Sequence, residues 1–254
     1  MTTSPGHAVA GGAAVAASLA FAQLLPGVAA LRHVRNLVMP GLAGIGNSGH
    51  VALTFDDGPD RASTPAFLDA LDELGWRATF FMLGTMASAA PELVIEVAQR
   101  GHEVAVHGFE HSNHLCRSHR WTTRDVTSAR DLLAELSGSQ PKWYRPPYGA
   151  LASSTLVAAR RAGLQPVLWT TWGRDWRQGA TAESIVQEVE KTKASGATVL
   201  LHDSDCTSAQ GSWRATLASL PQLGEIWAAR GLTVGPLSEH FTGIQGRRSG
   251  SSRL

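Results

Sequence analysis

From residue 50 onward, short apolar runs alternate with stretches in which apolar residues recur every three or four positions. The run HVALTF over residues 50–55 predicts a first strand, because it is apolar throughout and ends in a turn signal. Residues 65–74 place Phe67, Leu68, Leu71 and Leu74 on one helical face. The same reading gives strands over 77–83, 102–107, 142–145, 165–170, 197–201 and 232–234. Between them it gives helices over 91–100, 123–136, 154–162, 182–193 and 213–230, three of them stopped by Gly101, Gly163 and Gly231. Thr122 or Thr123 is the expected N-cap of the helix over 123–136. Strands that alternate with helices imply a parallel sheet with crossover helices. About seven such units suit a distorted α/β barrel, one short of a complete (β/α)8 barrel, with a doubly wound open sheet as the competing architecture.

A chain of 254 residues, 43% hydrophobic and 17% charged, is long enough for one large globular domain. That domain is expected over residues 46–242, after an apolar segment (1–45) and before a polar tail (243–254). The net charge of +1 leaves no basic field for nucleic acid, and Arg32/Arg35 and Arg247/Arg248 read as solvated ends. Two cysteines, Cys116 and Cys206, make no disulfide framework and are expected to be free thiols. Residues 8–30 are mostly alanine, valine and leucine, broken by Gly11, Gly12, Gln23, Pro26 and Gly27. No basic residue precedes this stretch as in a secretory signal, and Arg32 and Arg35 follow it. Two readings stay open: a signal or membrane anchor, which would place the domain at the cell envelope or outside, and a helix packed on a cytoplasmic domain. The sequence carries no signal for an oligomeric state.

The chemically distinctive residues fall at the C-terminal ends of successive predicted strands. Asp56 and Asp57 end the first, His107 the third and Arg145 the fourth; Asp175 follows the fifth and His202 ends the sixth. In parallel barrels that rim is where active sites are built. In TFDDGP, two adjacent carboxylates can serve one centre in different roles, one as metal ligand and one as proton acceptor; the bland alternative is a turn that caps the next helix. In HGFEH, His107 and His111 stand four apart, so one helical turn would aim both at one cation. Together with an aspartate they make a two-histidine, one-carboxylate set that leaves coordination positions open. The neighbouring His114 and His119 read as part of a polar loop. In RPPYG, Arg145 sits in a rigid turn where it can hold a carboxylate ionised, and Tyr148 keeps a backbone N–H that the prolines lack. In WGRDW and LHD, Asp175 can keep His202 protonated for acid work, and the indoles can wall a sugar-sized cleft; ordinary core packing is the alternative for both.

Taken in this order, TFDDGP, HxxxH, RPPYG, DW and LHD resemble the polysaccharide deacetylase family, metal-dependent carbohydrate esterases acting on chitin and peptidoglycan. The resemblance runs from about residue 50 to 237 and implies a distorted (β/α) barrel. It implies removal of N-acetyl groups from N-acetylglucosamine-type glycans, with release of acetate. By position it implies Asp56 as base, Asp57, His107 and His111 as ligands of Zn²⁺ or a similar ion such as Co²⁺, and Arg145 as the group that orients Asp56. It also implies the Tyr148 N–H as oxyanion donor, Asp175 as the residue tuning the acid His202, and Trp176 and Leu201 as lining of the acetyl pocket. Two positions depart from the family pattern: Gly108 stands where Ser or Thr is common, and Trp172 where an aspartate is expected. Neither is a proposed ligand, acid or base, so both bear on substrate.

Three rivals share these residues. One is the same site acting on a small amide or cyclic imide, and another is a non-catalytic sugar-binding relic. The third, an Fe(II) oxygenase, would leave Asp56, Arg145 and His202 without a use.

Overall fold

The computed structural model describes residues 39–192 and 194–242; the expectations for residues 8–30 and for the tail over 243–254 lie outside them. Helix α1 (Pro40–Ala43) leads into β1 (His50–Asp56), α2 (Thr64–Glu73), β2 (Thr79–Leu83), α3 (Gly84–Ala89), α4 (Pro91–Gln99) and β3 (Glu103–Gly108). Next come α5 (His119–Ser137), β4 (Trp143–Tyr144), α6 (Ser153–Arg161), β5 (Gln165–Pro166), β6 (Thr171–Trp172) and α7 (Ala182–Glu190). The chain ends with β7 (Thr198–His202), α8 (Trp213–Ala229), β8 (Thr233–Gly235) and α9 (Leu237–His240). Every strand pair is parallel, in the order β5-β4-β3-β2-β1-β7-β6, with β8 also pairing β1. The two ends of that path, β5 and β6, are separated only by residues 167–170, so the sheet must curl until its edges approach. The result is the expected distorted (β/α) barrel. Its eight described strands exceed the expected seven because the strand predicted over 165–170 is met only by β5 at its start, and a further short strand, β6, forms just past its end across the open seam.

Alternation along the strands separates two apolar layers. Val51, Leu53 and Phe55 of β1, with Phe80, Met82, Val104, Val106, Tyr144, Val199 and Leu201, face the helices. Ala52, Phe81, Ala105, Trp143 and Val167 form a smaller cluster with Leu237 and Phe241, which fills the barrel interior. Because β1 is covered on both sides, all seven of its residues are buried, which explains its unbroken apolar run. The inward set continues upward as Thr54 and Asp56, His107, Arg145, and Leu200 and His202. Strand periodicity thus delivers the polar residues to one end of one surface.

Two expectations are corrected at element ends. Helix α5 begins four residues before the predicted position because Ser118, not Thr122 or Thr123, is its N-cap and accepts the N–H of Trp121 at 3.3 Å. His114 is not on a polar loop surface. It is fully buried, within 3.1 Å of the Tyr144 hydroxyl. Both cysteines are free, as expected. Among the described residues no helix is long and apolar enough to cross a membrane.

Candidate active site

Asp56 is the last residue of β1, and its register partner on β7 is His202. Between them the interior is crossed by Arg145, whose side chain is fully buried. Its Nη1 donates to Asp56 Oδ1 at 2.6 Å and to Thr54 Oγ1 at 2.8 Å, while Nη2 donates to the carbonyl of Leu168 at 3.1 Å. The guanidinium lies over the Phe81 ring, 4.0 Å from its centroid. These contacts fix the Asp56 carboxylate by a charge-assisted bond and leave its second oxygen on the side of His107 (Nε2–Oδ2 3.8 Å).

Asp57 turns the other way. It adopts φ +79°, and its side chain is almost fully buried. Its Oδ1 has no hydrogen-bond donor and lies 3.4 Å from His107 Nε2 and 3.5 Å from His111 Nε2. His107 Nδ1 is 2.9 Å from the carbonyl oxygen of Arg145, which can only accept, so Nδ1 carries the proton and Nε2 offers a lone pair. Burial, together with the neighbouring His107, lowers the pKa of His111 and keeps it neutral. Burial by itself would raise the Asp57 carboxyl; protonation of His107 would oppose this, and with His107 and His111 neutral it is the field of the His202 imidazolium that favours the ionised group. Buried acceptors therefore face one another across a small gap, with all three ligand atoms within 4.8 Å of one another. That is the electrostatic signature of a cation site, and an O,N,N donor set fits a divalent transition metal. The predicted pairing of the histidines is met, but not by a helical turn. His107 is the penultimate residue of β3, and His111 lies in the following loop. Gly108 turns that loop at φ +109°, and Asp125 Oδ1 accepts the Glu110 N–H at 2.9 Å.

On the opposite wall, Asp175 takes His202 with both oxygens: Oδ1 lies 2.9 Å from Nδ1, and Oδ2 accepts the His202 backbone N–H at 2.7 Å. Thr216 Oγ1 donates to the same Oδ2 at 2.9 Å. Burial opposes a charged imidazole, yet Asp175, with Asp57 and Asp56 behind it, raises the His202 pKa to about 10. His202 is thus an imidazolium whose free nitrogen is Nε2. Asp203 does different work: its Oδ2 accepts Thr64 Oγ1 at 2.6 Å, and its carbonyl accepts Ser63 Oγ at 2.5 Å.

Asp56, Asp57, His107, His111 and His202 line one cleft of about 280 Å³, while Arg145 and Asp175 are buried and reach it only through their partners. Of the residues expected to line it, Tyr148 and Trp176 do, with Tyr148 edge-on to His111 at 4.4 Å between centroids. Leu201 does not, and this corrects the expectation. It faces the helices, while its neighbour Leu200 lines the cleft, because successive strand residues point to opposite faces. The same period of two, counted back from His202, would have selected Leu200 from the sequence. Trp169, Trp172, Thr207 and Ser208 also line the cleft. The three indoles run as a continuous wall, 5.9 Å from Trp169 to Trp172 and 5.3 Å from Trp172 to Trp176. Thr207 and Ser208 come from a loop without a sequence signature. A second hollow of about 360 Å³, behind the His111 loop and lined by Trp121, Arg124 and Asp125, gathers no comparable acid–base set.

A parallel barrel whose rim joins an Asp-His-His donor set to a separate carboxylate and a separate imidazolium belongs to the class of metal-dependent acid–base hydrolases. Comparison narrows the class. The family model described as Polysaccharide deacetylase matches residues 43–167. A peptidoglycan-N-acetylglucosamine deacetylase of Bacillus cereus is 34% identical over 70% of this chain, which spans 64% of that relative's length. A chitooligosaccharide deacetylase of Azorhizobium caulinodans is 32% identical over 75% of this chain and 94% of its own. The crystal structure of the Bc1960 peptidoglycan N-acetylglucosamine deacetylase, bound to a hydroxamate-type benzamide, superposes with a TM-score of 0.72. It is 30% identical and covers 79% of this chain and 91% of that one. The chain belongs to the polysaccharide deacetylase family, whose members are carbohydrate deacetylases.

Proposed function

We propose that this protein removes N-acetyl groups from N-acetylglucosamine-type glycans, of the peptidoglycan or chitooligosaccharide kind, and releases acetate. One observation carries the reading: the donor set Asp57, His107 and His111 shares a single cleft with Asp56, held by buried Arg145, and with His202, held by buried Asp175. Asp57, His107 and His111 would hold the ion, Zn²⁺ or a comparable ion such as Co²⁺. When bound, that ion supplies Lewis-acid polarisation of the acyl carbonyl and acidifies water.

The chain's own groups do the rest. Asp56, pinned through Oδ1 by Arg145, accepts the proton of the attacking water on its other oxygen. The backbone N–H of Tyr148, in a turn at φ +59°, donates to the developing oxyanion. His202, protonated on Nε2, delivers that proton to the departing amine nitrogen, so the sugar leaves as a neutral amine and not as an amide anion. Trp176, Leu200 and the flanking indoles exclude water from the acyl group and present flat apolar faces to a pyranose ring.

Mass spectrometry of chitooligosaccharides, peptidoglycan fragments and small amides, incubated with the protein with and without chelator, tests this. The expected result is chelator-sensitive loss of acetyl from a glycan. Turnover confined to small amides would replace the glycan reading, and turnover indifferent to chelator would remove the metal.

A further inference from the structure

Asp57 is the least self-sufficient member of the donor set. It is a non-glycine residue at φ +79°, a conformation that persists only where the surroundings over-determine it. Its Oδ1 faces the two imidazoles, and its Oδ2 has one hydrogen-bond partner among the described residues, Thr207 Oγ1 at 2.5 Å. The same loop reaches the Asp57 backbone, where Cys206 Sγ donates to the Asp57 carbonyl at 3.5 Å. Thr207 is itself exposed and stands outside every strand-end motif.

The loop over residues 203–212 is built to stay in place. Cys206 N–H donates to Ser204 Oγ at 3.2 Å, and Ser204 Oγ donates to Asp60 Oδ2 at 3.2 Å, which ties it to the segment after β1. Ser208 N–H donates to the Asp205 carbonyl at 3.0 Å, and Gly211 N–H donates to Asp205 Oδ2. Ala209 N–H donates to the Trp176 carbonyl at 3.0 Å, anchoring the loop to the segment that carries Asp175. A hydroxyl delivered from such a frame acts on a carboxylate that otherwise rotates about its Cβ–Cγ bond. With Oδ2 held, Oδ1 is the oxygen presented to His107 and His111.

The geometry assigns Thr207 as a positioning residue of the metal centre, its hydroxyl locking the Asp57 carboxylate in ligating orientation. The assignment rests on the metal-dependent reading above and adds a determinant that lies 150 residues away from Asp57. Partners of ligating carboxylates typically contribute about 10–100-fold to metal affinity.

The test titrates full-length, metal-stripped protein with Zn²⁺ and Co²⁺ against a chromophoric chelator, and records the visible Co²⁺ spectrum and the metal-free melting temperature. Wild type, Thr207→Val, Thr207→Ser, Asp57→Asn and the exposed-loop control Gln210→Ala are compared. The inference expects Thr207→Val to bind about 10–100-fold more weakly with an altered Co²⁺ spectrum and an unchanged metal-free melting temperature. Thr207→Ser, which keeps the hydroxyl, and Gln210→Ala should stay near wild type. Thr207→Val binding like wild type, or Thr207→Ser falling as far as Thr207→Val, overturns the assignment while leaving the metal site standing. Wild type that binds neither ion, or Asp57→Asn that binds as well as wild type, overturns the metal reading and this inference with it.

Discussion

The guanidinium of Arg145 and the imidazole of His202 show how one residue gains its chemistry from what surrounds it. Each is paired with an aspartate, but the pairs differ in effect: Arg145 orients Asp56, the acceptor of the proposed mechanism, and Asp175 favours the charged form of His202, its proposed donor. Replacing Asp56 by Asn retains the shape and removes the proton acceptor. Acetate release should fall by about 10²–10⁴-fold while bound metal, measured by elemental analysis, is retained. For Asp175→Asn the effect should appear in the pH profile. Asp175 is the main group raising His202 to about 10, so without it the imidazolium deprotonates at lower pH. The alkaline limb of kcat/KM against pH should move downward; an unmoved limb would remove His202 as the acid. Asp56 and His202 stand out in the sequence because each closes an apolar run, where a polar group needs a reason; Asp175, three residues past the end of β6, carries a weaker signal. Leu201 illustrates the resolution of that signal: one position decides between cleft and helix layer, and only the direction of the strand face settles it.

Among elements, one tight joint is that between the turn after β1 and the end of β7. A Cβ on Gly58 would stand 2.3 Å from Asp203 Oδ2, the oxygen that also accepts Thr64 Oγ1. Gly58→Ala should therefore displace a buried carboxylate and destabilise the fold by about 1–3 kcal/mol, the usual range for overpacking, as read by urea unfolding. Gly108 differs, since its positive φ and the 2.9 Å approach to Asp125 Oδ2 both resist a side chain. Gly108→Ser, although it restores a residue type common in the family, should strain the loop that carries His111 and weaken metal binding in the same chelator competition. The elements themselves were largely legible as apolar runs and helical spacing. The start of α5 and the separation of β6 from β5 were not. The first depends on a serine cap, and the second on where a curling sheet runs out of partners.

Across the whole molecule, buried histidines set a pH window. His102 and His240 are lowered to about 4 by burial, and His50, 3.0 Å from His240 Nδ1 at the opposite end of the barrel, is lowered for the same first reason. An unfolded chain binds protons at these sites near 6.5, whereas the folded chain does so only near 4 at two of them, so stability falls as pH drops through that interval. His202 has the opposite sign: its raised pKa stabilises the fold below about 6.5, and that contribution is lost as pH rises toward about 10. The melting temperature of metal-free protein should peak near neutral pH and decline on both sides. Asp203, raised to about 7 by burial, works against the histidines over the same interval, so the acid-side decline is the excess of the histidines over it, and it should steepen in Asp203→Asn.

By itself the sequence determined the alternating elements, the parallel barrel and the strand ends at which the aspartates, histidines and arginine of the cleft stand. Those properties follow from local periodicity and from the cost of placing a polar residue at the end of an apolar run. The tertiary structure alone decided which neighbour faces the cleft, how His107 and His111 meet without a helix, and that Thr207 reaches Asp57. These depend on how a curled sheet brings distant loops together, and contact across 150 positions leaves no mark on either segment's own pattern.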